Sequence, residues 1–169
     1  VSMLVSLGII EGKPDGSYAP TENVDRAQMA KMLSVIMNKG VDNSALYQSV
    51  NSGLTDITSN WAKGHINYCY TTGIIAGRGN GTFDPSATVT ALEAAKMLLV
   101  AVGYDPKIEG FEGADWAINV SVRADEQGIF EGFTKDLSAP LNRDDAALLI
   151  YNALDVEMIQ SYTTNNYPI

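Results

Sequence analysis

The sequence predicts an all-α protein built from three helix–loop–helix repeats, and three observations lead to this prediction. A Gly-Ile-x-x-Gly segment occurs three times, at residues 8–12, 73–77 and 128–132. A proline follows each copy by eight residues, at Pro20, Pro85 and Pro140. A helix-capping residue and an apolar run come next, beginning at Asp25, Thr90 and Asn142. Because chance rarely gives one such order twice, its presence in three copies indicates a repeat architecture.

The alignment of the three copies defines the domain organisation. Repeats 1 and 2 align without a gap at an offset of 65 residues. Repeats 2 and 3 align at an offset of 55 up to the proline and 52 after it, because repeat 3 lacks three residues. We expect repeat 1 at residues 1–40, with its first helix already begun at Val1, and repeat 2 at residues 54–103. Repeat 3 is expected at residues 111–155, followed by a C-terminal tether at residues 156–169. Together the repeats are expected to form one compact domain.

Each repeat is predicted to end in a long apolar helix that begins at a capping residue. Asp25 and Gln28 have the spacing of a capping box, as do Thr90 and Glu93, and Asn142 caps the third helix. We expect these helices to end near Asn38, Val102 and Leu154. One repeat cannot bury its apolar stripe alone, so the repeats must pack on one another. Placing the three long helices together in the centre buries most surface.

A shorter leading helix is predicted at the start of each repeat. In repeats 2 and 3 it spans residues 61–72 and 116–127, and Gly73 and Gly128 end it because glycine readily takes a positive φ. A short helical turn is also expected at residues 45–50, inside the first linker. The leading helices are expected to lie outside the three central ones.

Composition and charge exclude several classes of function. The chain has 11 Lys and Arg against 20 Asp and Glu, a net charge of −9, which argues against binding nucleic acid or anionic membranes. No run of 18 apolar residues is present, so membrane insertion is not expected. Cys69 is the only cysteine and His65 the only histidine, so we expect no disulfide, no cofactor and no catalytic activity.

His65 and Cys69 lie four residues apart on one predicted helix, a spacing that could hold a metal ion. The equivalent residues of repeat 3 are Val120 and Ala124, and no further histidine is available. The sequence therefore favours a packed position for both side chains.

Two arginines occupy the first helical position of their repeats, Arg26 in repeat 1 and Arg143 in repeat 3. A cation there opposes the helix dipole at a cost of roughly several tenths of a kcal/mol. One explanation for these arginines is an anion that docks beside free helix N–H groups. The other is that each arginine pairs with an acid or extends into solvent. Ala91 replaces the arginine in repeat 2. The residues alone leave both interpretations open.

Glycines and tryptophans of the repeats are also candidate binding residues. Gly12, Gly77 and Gly132 could allow close approach of a ligand to the backbone, or could serve a turn that needs a positive φ. Trp61 and Trp116 could form groove walls that stack on sugar, or could anchor the leading helices in the core.

These motifs together resemble the S-layer homology repeat. The resemblance rests on Trp-Ala, a Gly-Ile-x-x-Gly twelve residues after the tryptophan, then Asn-Gly-Thr-Phe-x-Pro and Val-Thr-x-x-Glu-x-Ala, and it covers roughly residues 1–155. Repeat 2 is the fullest copy. The resemblance implies a pseudo-threefold helical prism with a central three-helix bundle and grooves between neighbouring repeats.

The resemblance also implies a function. It implies a non-catalytic module that anchors an exported or S-layer protein on the outside of the bacterial cell wall, with secondary cell-wall polysaccharide bearing pyruvate ketals as partner. In the family, the arginine of a Thr-Arg-Ala-Glu motif is tied to recognition of this acidic glycan. The positions that match it are Arg26 and Arg143, whereas Ala91 departs from the motif. The expected ligand-binding residues are Arg26, Arg143, Gly12, Gly77, Gly132, Trp61 and Trp116.

Two alternatives remain at this point. The first is binding to peptidoglycan that carries polyamines, where the net charge of −9 would help and the arginines would be structural. The second is a protein-interaction or self-assembly module of a surface lattice with no bound glycan.

Overall fold

A computed structural model of the chain describes residues 19–169, and this part contains six helices. They are α1 Arg26–Met37, α2 Ser44–Tyr47, α3 Lys63–Thr71, α4 Ala91–Ala101, α5 Trp116–Glu126 and α6 Arg143–Ala153. Extended backbone within residues 19–169 is limited to isolated bridges, so the predicted all-α class is confirmed there. The first predicted helix and the first Gly-Ile-x-x-Gly segment, with Gly12, lie outside the described residues.

Local capping fixes the starts of the three long helices where the sequence predicts them. The Asp25 carboxylate accepts the Gln28 N–H at 2.8 Å, and the Thr90 hydroxyl accepts the Glu93 N–H at 3.1 Å. Both capping boxes are complete, and Asn142 caps α6 through its side-chain oxygen. Because these bonds satisfy N–H groups that the helix itself cannot, they set where each helix begins.

The leading helices also end as predicted, although one begins later. Gly73 and Gly128 have φ values of +81° and +74° directly after α3 and α5. Trp61, expected in the first turn of α3, precedes that helix. The Asn60 side chain accepts the Ala62 N–H at 2.9 Å, and this turn delays the helix start to Lys63.

Three backbone hydrogen bonds join the segments that precede α1, α4 and α6 into a closed ring. The Val24 N–H donates to the Leu141 carbonyl at 2.9 Å, Leu141 donates to Val89 at 2.7 Å, and Val89 donates to Val24 at 3.2 Å. All three side chains are buried. The ring therefore holds the starts of the three long helices together.

Each long helix start is further capped by the proline loop of a neighbouring repeat. The N–H groups of Arg26 and Ala27 donate to carbonyls of the loop before α4, at 2.9 Å each. Arg143 and Asp144 donate in the same way to the loop before α1, and Leu92 donates to the loop before α6 at 3.0 Å. The helix-start N–H groups that these bonds use are thus satisfied by protein carbonyls.

The long helices pack in the middle of the described residues. Helix α4 contacts α1, α6 and α5, while α3 packs against α1. Leu33, Leu98 and Ile150, one from each long helix, line a common apolar cleft of about 130 Å³. These contacts are those of a helical core; the full pseudo-threefold prism and the count of three repeats stay predictions.

The segment expected as a tether, residues 156–169, lies against the domain. The Ile159 N–H donates to the Val102 carbonyl at 2.8 Å, at the end of α4. The Tyr162 hydroxyl accepts the Asp105 N–H at 2.8 Å and donates to Glu109 at 3.0 Å. The start of the segment is therefore docked, and its role as a tether to a further domain stays a prediction.

Across residues 19–169, helices that combine the length and the apolar character needed to cross a bilayer are absent.

The packing predicts which leucines stabilise the fold. Leu33 is fully buried and Leu98 is 3% exposed, so replacing either with alanine should lower the free energy of unfolding by about 2–5 kcal/mol. Leu46 is 75% exposed, and Leu46→Ala is the control, with an expected change below about 0.5 kcal/mol. Chemical denaturation measures all three variants. Losses below about 1 kcal/mol at both buried sites would contradict the central position of α1 and α4.

Candidate functional site

The structure brings three of the predicted site residues together in one groove of about 400 Å³. Arg26 enters it from the start of α1, Gly77 from the loop after α3, and Trp116 from the start of α5. The further charged residues that line it are Arg78, Glu93, Lys96 and Glu112. Residues of each of the three predicted repeats therefore line what we call the Arg26 groove.

Arg26 is held by backbone carbonyls of repeat 2. Its Nε donates to the Phe83 carbonyl at 2.8 Å, and its Nη2 donates to the Ala76 carbonyl at 2.6 Å. The guanidinium also lies 4.5 Å from the centre of the Phe83 ring. The residue is only 4% exposed. The expectation that it pairs with an acid or extends into solvent is therefore wrong for Arg26.

Free N–H groups at the start of α1, expected as part of an anion site, are not found. The N–H groups of Arg26 and Ala27 donate to the Ala87 and Pro85 carbonyls, and Asp25 accepts from Gln28. An anion in the Arg26 groove would accordingly be met by side chains rather than by the helix start.

The groove nevertheless concentrates positive charge in an acidic protein. Burial, and next the nearby charge of Arg78, lower the pKa of Arg26 to about 10, so its guanidinium is still protonated at pH 7. Lys96 adds a third cation from α4. Of the two acidic residues that line the groove, Glu93 already accepts a hydrogen bond from the Thr90 N–H at 3.0 Å. Arg78 lies 3.4 Å from Asp84 on the exposed side.

Sequence reasoning missed Arg78 and Lys96, although the repeats carry a signal for both. At the offset of 65 residues, Lys31 of repeat 1 matches Lys96 and Lys13 matches Arg78. A cation that recurs at the same position of two repeats indicates a position that could bind the same kind of anionic ligand in both.

The two described glycines among the predicted site residues differ in what they do. A Cβ on Gly77 would lie 3.1 Å from the Thr82 carbonyl oxygen and 3.2 Å from the Tyr70 ring. Gly77 thus permits a close approach, but within the protein itself. Gly132 has a φ of +80°, which fits the turn interpretation.

The two tryptophans also differ. Trp116 is half-buried, packs against the core and lines the Arg26 groove, so it has features of both interpretations. Trp61 is 60% exposed. The core-anchor interpretation is therefore wrong for Trp61, because its indole projects from the turn before α3.

The equivalent positions of the other repeats are not alike. Arg143 is half-buried at the start of α6. Ala91 is fully buried at the start of α4, so that position supplies no cation. A separate cleft of about 330 Å³ at α6 is lined by Asp144, Asp145, Ala147, Leu148 and Tyr151. Leu148 matches Lys96 at the offset of 52, and Lys135 approaches Asp145 to 2.6 Å.

His65 and Cys69 are packed against α1, as the sequence favours. The His65 ring lies 3.1 Å from the Ser34 hydroxyl, and the Cys69 thiol donates to the Ala30 carbonyl at 3.3 Å. Burial raises the pKa of the Cys69 thiol. These contacts position α3 on α1.

A comparison with protein families identifies the class to which these features belong. Residues 1–30 and 53–95 match the model of the S-layer homology domain. The chain therefore contains an S-layer homology domain, and the resemblance found in the sequence is confirmed over these two segments. This domain is a cell-surface anchoring module without catalytic activity.

Curated relatives agree with this assignment. The chain is 30% identical over 161 residues to a cell surface protein of Thermoanaerobacter kivui, covering 95% of the chain and 20% of the relative. It is 28% identical over 161 residues to the middle cell wall protein of Brevibacillus brevis, covering 95% and 15%. It is 33% identical over 110 residues to an S-layer protein of Bacillus licheniformis, covering 65% and 12%.

The chain thus spans a fifth or less of the length of these relatives. The expected location outside the cell, at the bacterial cell wall or surface layer, is confirmed by the family match and these relatives.

The contacts of Arg26 predict that it stabilises the fold. The helix dipole alone predicts that alanine at this position is neutral or slightly stabilising. Instead, Arg26→Ala leaves the Phe83 and Ala76 carbonyls without their donor, so we expect a loss of about 1–3 kcal/mol. Thermal and chemical denaturation measure it. The exposed Arg78→Ala is the matched control, with a change within about 0.5 kcal/mol. A parent-like stability of Arg26→Ala would contradict the observed contacts.

Proposed function

We propose that the chain anchors an exported protein by binding the acidic groups of secondary cell-wall polysaccharide, specifically pyruvate ketals, in the Arg26 groove. The observation that carries this proposal is the convergence of Arg26, Arg78 and Lys96 beside an indole in a protein of net charge −9. Three cations against two acids along one groove run counter to the overall charge, which supports an anionic ligand there.

Arg26 is suited to a carboxylate because its orientation is already fixed. A guanidinium has five N–H donors in a planar fork, and the bonds to Phe83 and Ala76 use two of them. Up to three donors are left for a ligand in the groove that Arg26 lines. Since the side chain is already immobilised, binding costs little further rotamer entropy.

The other groove residues supply complementary interactions. Lys96 offers a flexible point charge from α4, and Trp116 offers an aromatic face on which the apolar side of a sugar ring can stack. A pyruvate ketal holds a carboxylate next to a sugar ring. A single sugar of the ligand can therefore contact both Lys96 and Trp116. These close contacts attract the polysaccharide, whereas the acidic surface farther away repels it. Salt screens the distant repulsion more strongly than the close contacts.

The net charge of −9 favours one alternative, binding to peptidoglycan that bears polyamines. Self-assembly within a surface lattice is the other. A pull-down with purified cell walls, before and after chemical removal of pyruvate, separates the three. Loss of binding on removal supports the proposal, and retained binding that salt weakens supports the polyamine alternative. Absence of wall binding supports the lattice alternative.

The inequality of the repeats predicts the stoichiometry. Ala91 supplies no cation and the cleft at α6 is lined by Asp144 and Asp145, so a short pyruvylated glycan should saturate at fewer than three sites per chain. Isothermal titration calorimetry measures this number. Three equivalent sites would show that the arginine is not required.

Lys96 separates binding from stability, because within residues 19–169 its side chain makes no hydrogen bond or ion pair. Lys96→Ala should weaken binding of the same glycan by about tenfold, equivalent to one charge-assisted contact, with an unchanged melting temperature. Lys107→Ala is the matched control, since Lys107 is exposed and lies outside the Arg26 groove. Equal affinities of both variants and the parent would exclude this groove as the binding site.

A further inference from the structure

A single carboxylate clamps the loop that receives Arg26. Asp56, at the start of repeat 2, accepts the Phe83 N–H at 2.9 Å through one oxygen and the Asp84 N–H at 2.8 Å through the other. The adjacent Thr55 N–H donates to the Gly81 carbonyl at 2.9 Å. The segment before α3 therefore fixes the loop between residues 81 and 84.

One of these bonds acts on the peptide group that holds Arg26. The Asp84 N–H and the Phe83 carbonyl belong to the same planar peptide, and they point in opposite directions. Asp56 binds the N–H side of this peptide, while the Arg26 Nε donates to its carbonyl side at 2.8 Å. Polarising the N–H also makes the carbonyl a better acceptor. The carboxylate thus fixes both the direction and the strength of the Arg26 contact.

The backbone at this point needs such support. Asp84 has a φ of +60°, a left-handed conformation that is uncommon outside glycine, although aspartate adopts it more readily than most residues. It persists where the surrounding contacts determine it. The bond from the Asp84 N–H to Asp56 is one of those contacts.

We infer that Asp56 is a positioning residue of the Arg26 groove, which orients the anion-binding guanidinium through the Phe83–Asp84 peptide; this rests on the proposed function of the groove. Asp56 reaches the ligand only through that peptide and through Arg26. Its contribution should appear in affinity as well as in stability.

The titration of Asp56 is consistent with the clamp. The slight burial of this exposed side chain on its own would raise the pKa of the Asp56 carboxyl. The N–H bonds from Phe83 and Asp84, together with the charge of Arg26, outweigh that effect and hold the pKa below its usual value. The carboxylate therefore stays ionised as an acceptor throughout the neutral range.

The sign of the change in affinity distinguishes this role from a simple charge effect. Asp56 is an anion near Arg26, so through the electrostatic field alone its removal should strengthen binding of an anionic glycan. Through the clamp, removal should weaken binding because the guanidinium loses its fixed orientation. A purely structural role would lower the melting temperature and leave the affinity of the folded protein unchanged.

The test compares Asp56→Ala with Asp105→Ala by calorimetry, on a sugar that bears a pyruvate ketal, well below both melting temperatures. Asp105 is the matched control because its carboxylate also accepts two backbone N–H groups, of Lys107 at 2.9 Å and Ile108 at 3.2 Å, outside the groove. We expect Asp56→Ala to weaken binding by about tenfold and Asp105→Ala to leave it within about twofold. Asp56→Asn, which keeps one acceptor oxygen, should recover part of the loss and serves if the alanine variant does not fold.

Unchanged or tighter binding by the Asp56 variants would overturn the inference. A second readout needs no ligand, namely the hydrogen exchange of the Arg26 Nε–H measured by NMR, which is tractable because the chain has four arginines. Asp56→Ala should accelerate this exchange and Asp105→Ala should not. If the parent fails to bind the sugar, the proposed function fails, and an unaltered Nε–H exchange in Asp56→Ala would then also reject the positioning role.

Discussion

The structure depends on a closed ring of three backbone hydrogen bonds. Val24, Val89 and Leu141 each donate one N–H and accept one within the ring, so no strand edge is left over at this point. Each of them lies two residues before the first residue of its long helix. Fixing the ring therefore fixes where the three helices begin relative to one another. It also brings the start of α1 beside the loop of repeat 2, where Arg26 meets its acceptors.

The same arrangement decides how an anion can be bound. Helix-start N–H groups usually form a ready anion site, but here neighbouring loops use those of Arg26 and Ala27. Side chains must then supply the donors. A buried guanidinium is costly unless it is hydrogen-bonded, and the Phe83 and Ala76 carbonyls offset that cost. A cation that opposes the helix dipole is thus tolerated because non-local acceptors hold it.

Sequence reasoning succeeded where the determinants are local and failed where they are distant. The caps at Asp25 and Thr90 depend on residues three positions away, so their spacing predicted the helix starts. The acceptors of Arg26 lie 50 and 57 residues away, and no local pattern predicts its burial. The docking of Ile159 on Val102 is likewise a distant contact. Lys96 stands between these cases, because only alignment of the repeats could reveal it.

The repeats differ in whether they carry the arginine and the aspartate that clamps its loop, and these two differences are connected. A clamp on the loop is useful only where the loop must orient an arginine. In repeat 2 the loop receives Arg26, and Asp56 clamps that loop. The loop of repeat 3 faces the start of α4, where Ala91 stands in place of an arginine. At the offset of 55 residues that relates repeats 2 and 3, Asp56 matches Phe111 rather than an aspartate. Arginine and clamp are therefore absent together, as expected of parts that act only in combination.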